Sequence, residues 1–292
     1  MGGTAADILV YTGAVLDGDW DTAGNWAVAA GSPTTTTPSA GEGAVMDDRT
    51  VYPITQAPGS GVALTGFNVT AGCKHGIGTP GTSLTNVTVD SGSAGKFTFA
   101  AGVHCYFNGS IDILEVNNTG AGGFHYTGGT ATVAEVAAGL VEIQSGATAT
   151  MIYTTGASAK VLGQSGCTFT ALEQYLGDVA SDVSIATAFV GGGRLRLMKS
   201  AGSTTLTVAG NGYVNLQTDG TITTLNGKSG RLDANGSRRS SPTITTANYR
   251  RRVFRLFKQY DGGEITVTND NGAGVDGLSV NGGGGQLPFG GF

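Results

Sequence analysis

Glu115 and Glu135 stand twenty residues apart inside near-copies of one segment, Ile113-Leu-Glu-Val116 and Val133-Ala-Glu-Val136. If those segments stack as neighbouring strands, the two carboxylates approach to about 5 Å, near the separation that retaining glycosidases use. Asp112 lies beside the first of them, and His104 and His125 are 21 residues apart on adjacent segments, so the set has the residue types of an acid/base cluster. Alternation argues the other way. Both glutamates sit between apolar neighbours, as solvent-facing strand positions do, and Glu142 alternates in the same manner with no partner in the pattern. The balance favours solvent-facing strand residues. No residue is assigned a catalytic role, and the chain is expected not to be an enzyme.

Metal and cofactor chemistry fare no better. Asp17-Gly-Asp19-Trp-Asp21 has the alternating carboxylates of a calcium loop but lacks its sixth-position glycine and distal glutamate. An Asp-rich turn is the expectation there. The Cys and His residues show no zinc-ligand spacing, and Gly191-Gly-Gly193 precedes a strand rather than a helix, the wrong setting for a phosphate or dinucleotide loop. No metal and no cofactor is expected.

The elements that hold these residues announce themselves by repetition. Leu64-Thr-Gly-Phe-Asn-Val69 echoes in Leu84-Thr-Asn-Val-Thr-Val89, and Gly193-Arg-Leu-Arg-Leu197 in Gly212-Tyr-Val-Asn-Leu216 and again in Gly230-Arg-Leu-Asp-Ala234. Thr221-Ile-Thr-Thr224 returns as Thr243-Ile-Thr-Thr246. A period near 20 residues, carried by β-branched segments, is the pattern of a β-solenoid whose coils stack about 4.8 Å apart. The fold expected is all-β: a right-handed parallel β-helix of about 20 residues per coil. Its parts are an N-terminal cap over 1–53, the β-helix over 54–246, and a C-terminal region over 247–292 with a short basic helix, a final strand and a Gly-rich tail. The helix is read over Ala247 to Tyr260, where Tyr249, Val253, Leu256, Phe257 and Tyr260 recur at helical spacing. A shorter helical turn is read over Ala171 to Leu176, with Thr170 and Glu173 at capping-box spacing.

Composition agrees. Of 292 residues only 13% are charged, about half the usual share, and 51 are glycine, which suits many tight turns between short strands. Cys73, Cys105 and Cys167 are too scattered for a disulfide framework and read as buried thiols. The N-terminus lacks the basic and apolar regions of an export signal, and no stretch is long and apolar enough to span a bilayer.

The net charge of −5 conceals a division. Residues 1–193 carry four basic and fifteen acidic side chains, residues 194–258 twelve basic and two acidic, and the remainder four acidic. The basic stretch, with Arg238, Arg239, Arg250, Arg251, Arg252, Arg255 and Lys258, reads as a surface for an acidic protein partner. Nucleic acid is disfavoured, because Tyr249, Phe257 and Tyr260 share the apolar face rather than standing out for base stacking. In the tail, Leu287, Phe289 and Phe292 follow four glycines and read as apolar anchors on a tether.

Both tryptophans fall near the start, where a solenoid must cover its open core. The arrangement Gly18-Asp-Trp20, Asn25-Trp26, Pro38, Gly41-x-x-Ala-Val45 resembles the leading segment of phage and bacterial surface β-helix proteins, with Glu42 where Asp is more usual. The resemblance covers about the first 45 residues. It implies a parallel β-helix in a bacteriophage virion, of the capsid-decorating or cementing type, bound to the major capsid protein or other virion proteins and assembled as a homo-oligomer, a trimer by analogy. The alternatives are a tail fibre or tailspike that binds or cleaves host glycan, and a bacterial surface adhesin.

Overall fold

The computed structural model describes residues 7–33, 35–90, 94–234, 241–250, 253–257, 259–260 and 263–272. The chain is a parallel β-helix, with strands throughout and no α-helix among the described residues. It divides into two compact units, 1–171 and 172–292. In each, a coil contributes one strand to a first sheet and one to a second, with the apolar side chains of both turned inward.

The first sheet of unit 1 begins with an exception. Ile8–Tyr11 pairs antiparallel with Trp26–Ala30 and parallel with Gly43–Met46. Parallel pairing then runs through Gly66–Val69, Lys96–Phe99, Ile111–Asn117, the central part of the long strand Gly123–Ile143, and Ala147–Thr154. The second sheet comprises Cys105–Asn108, the two ends of Gly123–Ile143, and Ala159–Gly163. One continuous strand thus leaves the second sheet, crosses the first and returns.

Most of the repeats read from the sequence are in register. Ile113, Leu114, Glu115 and Val116 stand opposite Val133, Ala134, Glu135 and Val136. In unit 2, Leu195, Val214 and Leu232 form one inward column of the second sheet, and Thr221-Ile222 lies on Thr243-Ile244 in the first. Leu64-to-Val69 is the exception: Val62 and Ala63 pair with Val87 and Thr88, and Gly66–Val69 pairs with Lys96–Phe99. That similarity in sequence is not the register, because the loops of these early coils differ in length.

The interior of unit 1 is an aromatic column. Trp20 and Trp26 meet edge to face at 4.7 Å, with Tyr11 at 5.1 Å from Trp26 and Phe67 at 6.0 Å from Trp20. Phe67 stacks on Phe97 at 4.7 Å, and Phe97 meets Phe107 and Phe124 at 5.2 and 5.1 Å. Both tryptophans are buried in this column. Cys73, Cys105 and Cys167 are buried as well and form no disulfide, and burial pushes the first two thiols above their ordinary titration range.

Tight turns set the coil length. At Gly129 the backbone has φ of +86°, and a Cβ there would lie 2.4 Å from the carbonyl oxygen of Gly109 in the coil before. Left-handed backbone and steric exclusion act together, so Gly129→Ala will destabilise unit 1 by roughly 2 kcal/mol or more, measured by chemical denaturation.

Both expected helices are strands. Residues 171–174 belong to the strand Thr168–Gln174, and 247–249 to Thr243–Tyr249, followed by Phe254–Phe257. A neighbouring coil offers each segment a complete ladder of backbone partners, which overrides the local helical spacing. Between the two strands, the amides of Val253 and Phe254 both donate to the carbonyl of Arg250, at 3.1 and 2.9 Å. Among the described residues no helix is long and apolar enough to cross a membrane.

Candidate functional site

The charge division reappears unit by unit. Unit 1 carries four basic and twelve acidic residues, unit 2 twelve basic and nine acidic. On the outward face of the second sheet of unit 2, Asp178, Arg194, Tyr213, Arg231 and Arg255 stand opposite one another on successive coils. Much of this charge is consumed internally. Arg194 and Arg196 both reach Asp178, Lys199 pairs with Asp182, and Arg231 pairs with the fully buried Asp233 while its guanidinium lies 5.0 Å from the Tyr213 ring centre. Tyr213 donates its hydroxyl to Asp233 at 3.1 Å and accepts from Asn215 at 3.0 Å.

Three cations differ. Lys228, Arg250 and Arg255 are exposed, and no carboxylate among the described residues pairs with them. Lys228 and Arg250 occupy successive turns between the two sheets and border an open groove of about 500 Å³, with Asn248, Tyr249 and the exposed Val253. An asparagine ladder braces it: Asn248 donates to Asn226 at 3.2 Å and accepts from Asn271 at 2.9 Å. Of the basic residues singled out in the sequence, Arg250 and Arg255 are therefore surface cations. Arg238, Arg239, Arg251, Arg252 and Lys258, with the tail residues Leu287, Phe289 and Phe292, lie outside the described residues.

In unit 1 the acid/base candidates separate. Glu115 and Glu135 do stand opposite each other on the first sheet. Glu115 pairs with Lys96, and Asp112 accepts the amide of Gly95 at 3.0 Å, so both carboxylates have local partners. The histidines are on the second sheet. There His104 Nδ1 and His125 Nε2 are 2.9 Å apart, and His125 Nδ1 is 2.6 Å from Glu142. Glu142, expected to stand alone, is thus held by several partners, for Gln144 donates to it at 3.0 Å and Gln164 donates to its other oxygen. Tyr106 stacks on His125 with ring centres 4.4 Å apart and planes within 9°.

This geometry assigns protons. Glu142 accepts from His125 Nδ1–H, which leaves Nε2 of His125 to share a single hydrogen with His104 Nδ1. The outer nitrogen of the exposed His104 ring then faces solvent at the end of a carboxylate–imidazole–imidazole chain. Burial acts to raise the Glu142 carboxyl, but the hydrogen bonds from His125 and Gln144, the charge of His125 and the Gln164 bond outweigh it and hold it below its ordinary range. Alternation alone could not reveal this arrangement: Tyr106, His125 and Glu142 are separated by 19 and 17 residues, not by one fixed repeat.

The Asp-rich turn folds on itself. Asp17 accepts the amide of Asp19 at 3.0 Å and the side chains of Asn25 and Thr22 at 2.6 and 2.9 Å. Asp19 accepts from the Asp21 amide at 3.0 Å, and Asp21 from the Gly59 amide at 2.7 Å. Those hydrogen bonds, led by the Asp19 amide, hold the Asp17 carboxyl below its ordinary range. Glu42, buried, accepts from the Ser39 amide at 2.8 Å and the Thr35 hydroxyl at 2.9 Å, so the longer side chain serves as a loop brace. Among the described residues no group of three or more His, Cys, Asp or Glu side chains is placed to hold a metal ion. Comparison with known proteins finds no matching family model, no matching curated protein and no matching solved structure.

Proposed function

We propose that the protein is a non-enzymatic structural component of a bacteriophage particle, decorating or cementing the capsid through contacts with the major capsid protein or another virion protein. The observation that carries this reading is the selective pairing of charge in unit 2. Arg194, Arg196, Lys199 and Arg231 are tied to carboxylates of their own unit, whereas Lys228, Arg250 and Arg255 stand exposed, two of them at one groove. Exposed cations at a fixed place on a hydrogen-bonded ladder suit an acidic protein surface, which they orient and attract. Tyr249 and Phe254 are buried beside them, so stacking platforms for single-stranded nucleic acid are absent from this part of the described surface. The resemblance of the N-terminal segment to phage β-helix proteins supplies the virion setting and adds a homotrimer to the reading.

The test is quantitative mass spectrometry of purified particles of a phage that encodes this chain. Hundreds of copies relative to the major capsid protein support decoration of the shell; about a dozen move the protein to the tail; absence from the particle ends the proposal. Lys228→Glu with Arg250→Glu will abolish incorporation while changing folding stability by no more than about 0.5 kcal/mol per site, since both side chains are exposed.

A further inference from the structure

We infer that the strand Trp26–Ala30 is a self-association edge, pairing antiparallel with the same strand of a second copy about a twofold axis. It ends the first sheet of unit 1: Ile8–Tyr11 pairs with it on one side, and no other described strand pairs with it on the other. Which backbone groups are free follows from the ladder. The Thr12 amide donates to the Asn25 carbonyl at 2.7 Å, and antiparallel bonding alternates, so Ala27 exchanges bonds with Val10 while Val28 turns its N–H and C=O away from the sheet. Trp26 faces the same way, but its amide already donates to the Ala23 carbonyl. Val28 is thus the residue that offers both a donor and an acceptor at the open edge.

Edges of sheets are usually guarded by charge, by proline or by a bulge. Trp26-Ala-Val-Ala-Ala30 holds neither a charge nor a proline, and Ala27, Val28 and Ala29 are all exposed, the valine at 59%. Its guard is a bulge, where the register opposite Ile8 and Leu9 shifts. Two further apolar side chains stand beside it. Buried Asn25 accepts the Val15 amide at 3.0 Å and donates to Asp17 at 2.6 Å, which fastens the intervening turn to the start of the strand. That turn exposes Val15 and Leu16, and Leu16 has φ of +62°, a left-handed backbone that is costly for leucine. The strain is spent on presenting an apolar side chain to solvent next to an open edge.

A second copy is the occupant these features select. Antiparallel pairing of this strand with itself sets Val28 opposite Val28, each N–H donating to the other's C=O, and Ala27 opposite Ala29. No side chain in the strand is charged, so like meets like without repulsion. One short strand with two flanking side chains buries less than the ~1,200 Å² of stable interfaces, so the contact is expected to be weak, with a Kd of roughly ten to a hundred micromolar. It is separate from any threefold contact, because an isologous strand pair joins two copies only.

Sedimentation of the full-length protein from about one to a few hundred micromolar is expected to show a reversible doubling of mass. Val28→Lys sets two ammonium groups opposite each other and is expected to weaken the doubling at least tenfold, with an unchanged denaturation midpoint at the lowest concentration. Val253→Lys, at an exposed valine of unit 2, is expected to leave the doubling as it is. Cross-linking reads the register. Hydrogen-bonded antiparallel partners have Cα atoms about 5.5 Å apart, within disulfide reach, so Val28→Cys is expected to give a disulfide-linked dimer with oxidised glutathione, whereas Val253→Cys is not. The native cysteines are buried and do not compete. A mass that stays constant across the range, a doubling that Val28→Lys leaves intact, or linkage no greater in Val28→Cys than in Val253→Cys overturns the proposal.

Discussion

Phe97→Ala will remove about 3–5 kcal/mol from the stability of unit 1, the usual consequence of deleting a fully buried aromatic ring. Phe97 has no exposed surface and lies at the junction of the aromatic column, stacked on Phe67 and set edge to face against both Phe107 and Phe124. Its neighbours belong to adjacent coils whose backbones are held by ladder hydrogen bonds, so the walls cannot close on the space left behind. Calorimetry should show the unit 1 transition lowered by roughly 10 °C. Val51→Ala is the matched control: Val51 is 53% exposed, and the change should fall within about 0.5 kcal/mol. Equal effects at the two positions would mean that the column does not support the fold.

Glu142→Gln will destabilise unit 1 by about 1–3 kcal/mol and will change how it responds to acid. The carboxylate accepts hydrogen bonds from His125, Gln144 and Gln164, and the amide that replaces it has one acceptor oxygen and no charge. Because the folded carboxyl is held below its ordinary value of 4.5, the stability it contributes is fully present above that value and is lost as pH falls through the lower, folded one. Denaturation midpoints measured down through that window will therefore fall more steeply for the parent chain than for Glu142→Gln. A second readout concerns the proton itself. Imidazole nitrogen spectra should place the His125 hydrogen on Nδ1 in the parent chain, and Glu142→Leu should release it to the other nitrogen. Identical tautomers in the two proteins would show that Glu142 does not orient the ring.

Much of the coil architecture is legible in the residues. Glu115 and Glu135 occupy equivalent positions because the coil between them has no inserted loop, and the same holds for Leu195 with Val214. Periodicity can lose the register where a loop lengthens the coil. Between Gly66 and Lys96 the loop is ten residues longer than one coil, and the best match in sequence then points to the wrong partner. The basic segment after Ala247 misled for a different reason. Tyr249, Val253 and Leu256 fit both a helical stripe and two short strands joined by a turn, and a neighbouring coil with open backbone groups decides between them. The burial of Trp20 and Trp26 was legible because large aromatic side chains gain most from leaving water. Glu142 was not, since its partners come from three coils of unequal length and from the side chains of Gln144 and Gln164, which carry no pattern of their own.

The three cysteines bear on where such a coil can travel. Sulfur reacts as thiolate, and burial keeps Cys73 and Cys105 protonated and out of reach of oxidants and of each other. The covalent structure of these thiols is consequently the same under reducing and under oxidising conditions. No bridge among the three cysteines must form for the fold to mature. For a protein exposed to both settings in succession, indifference to redox potential is as useful as stability to heat.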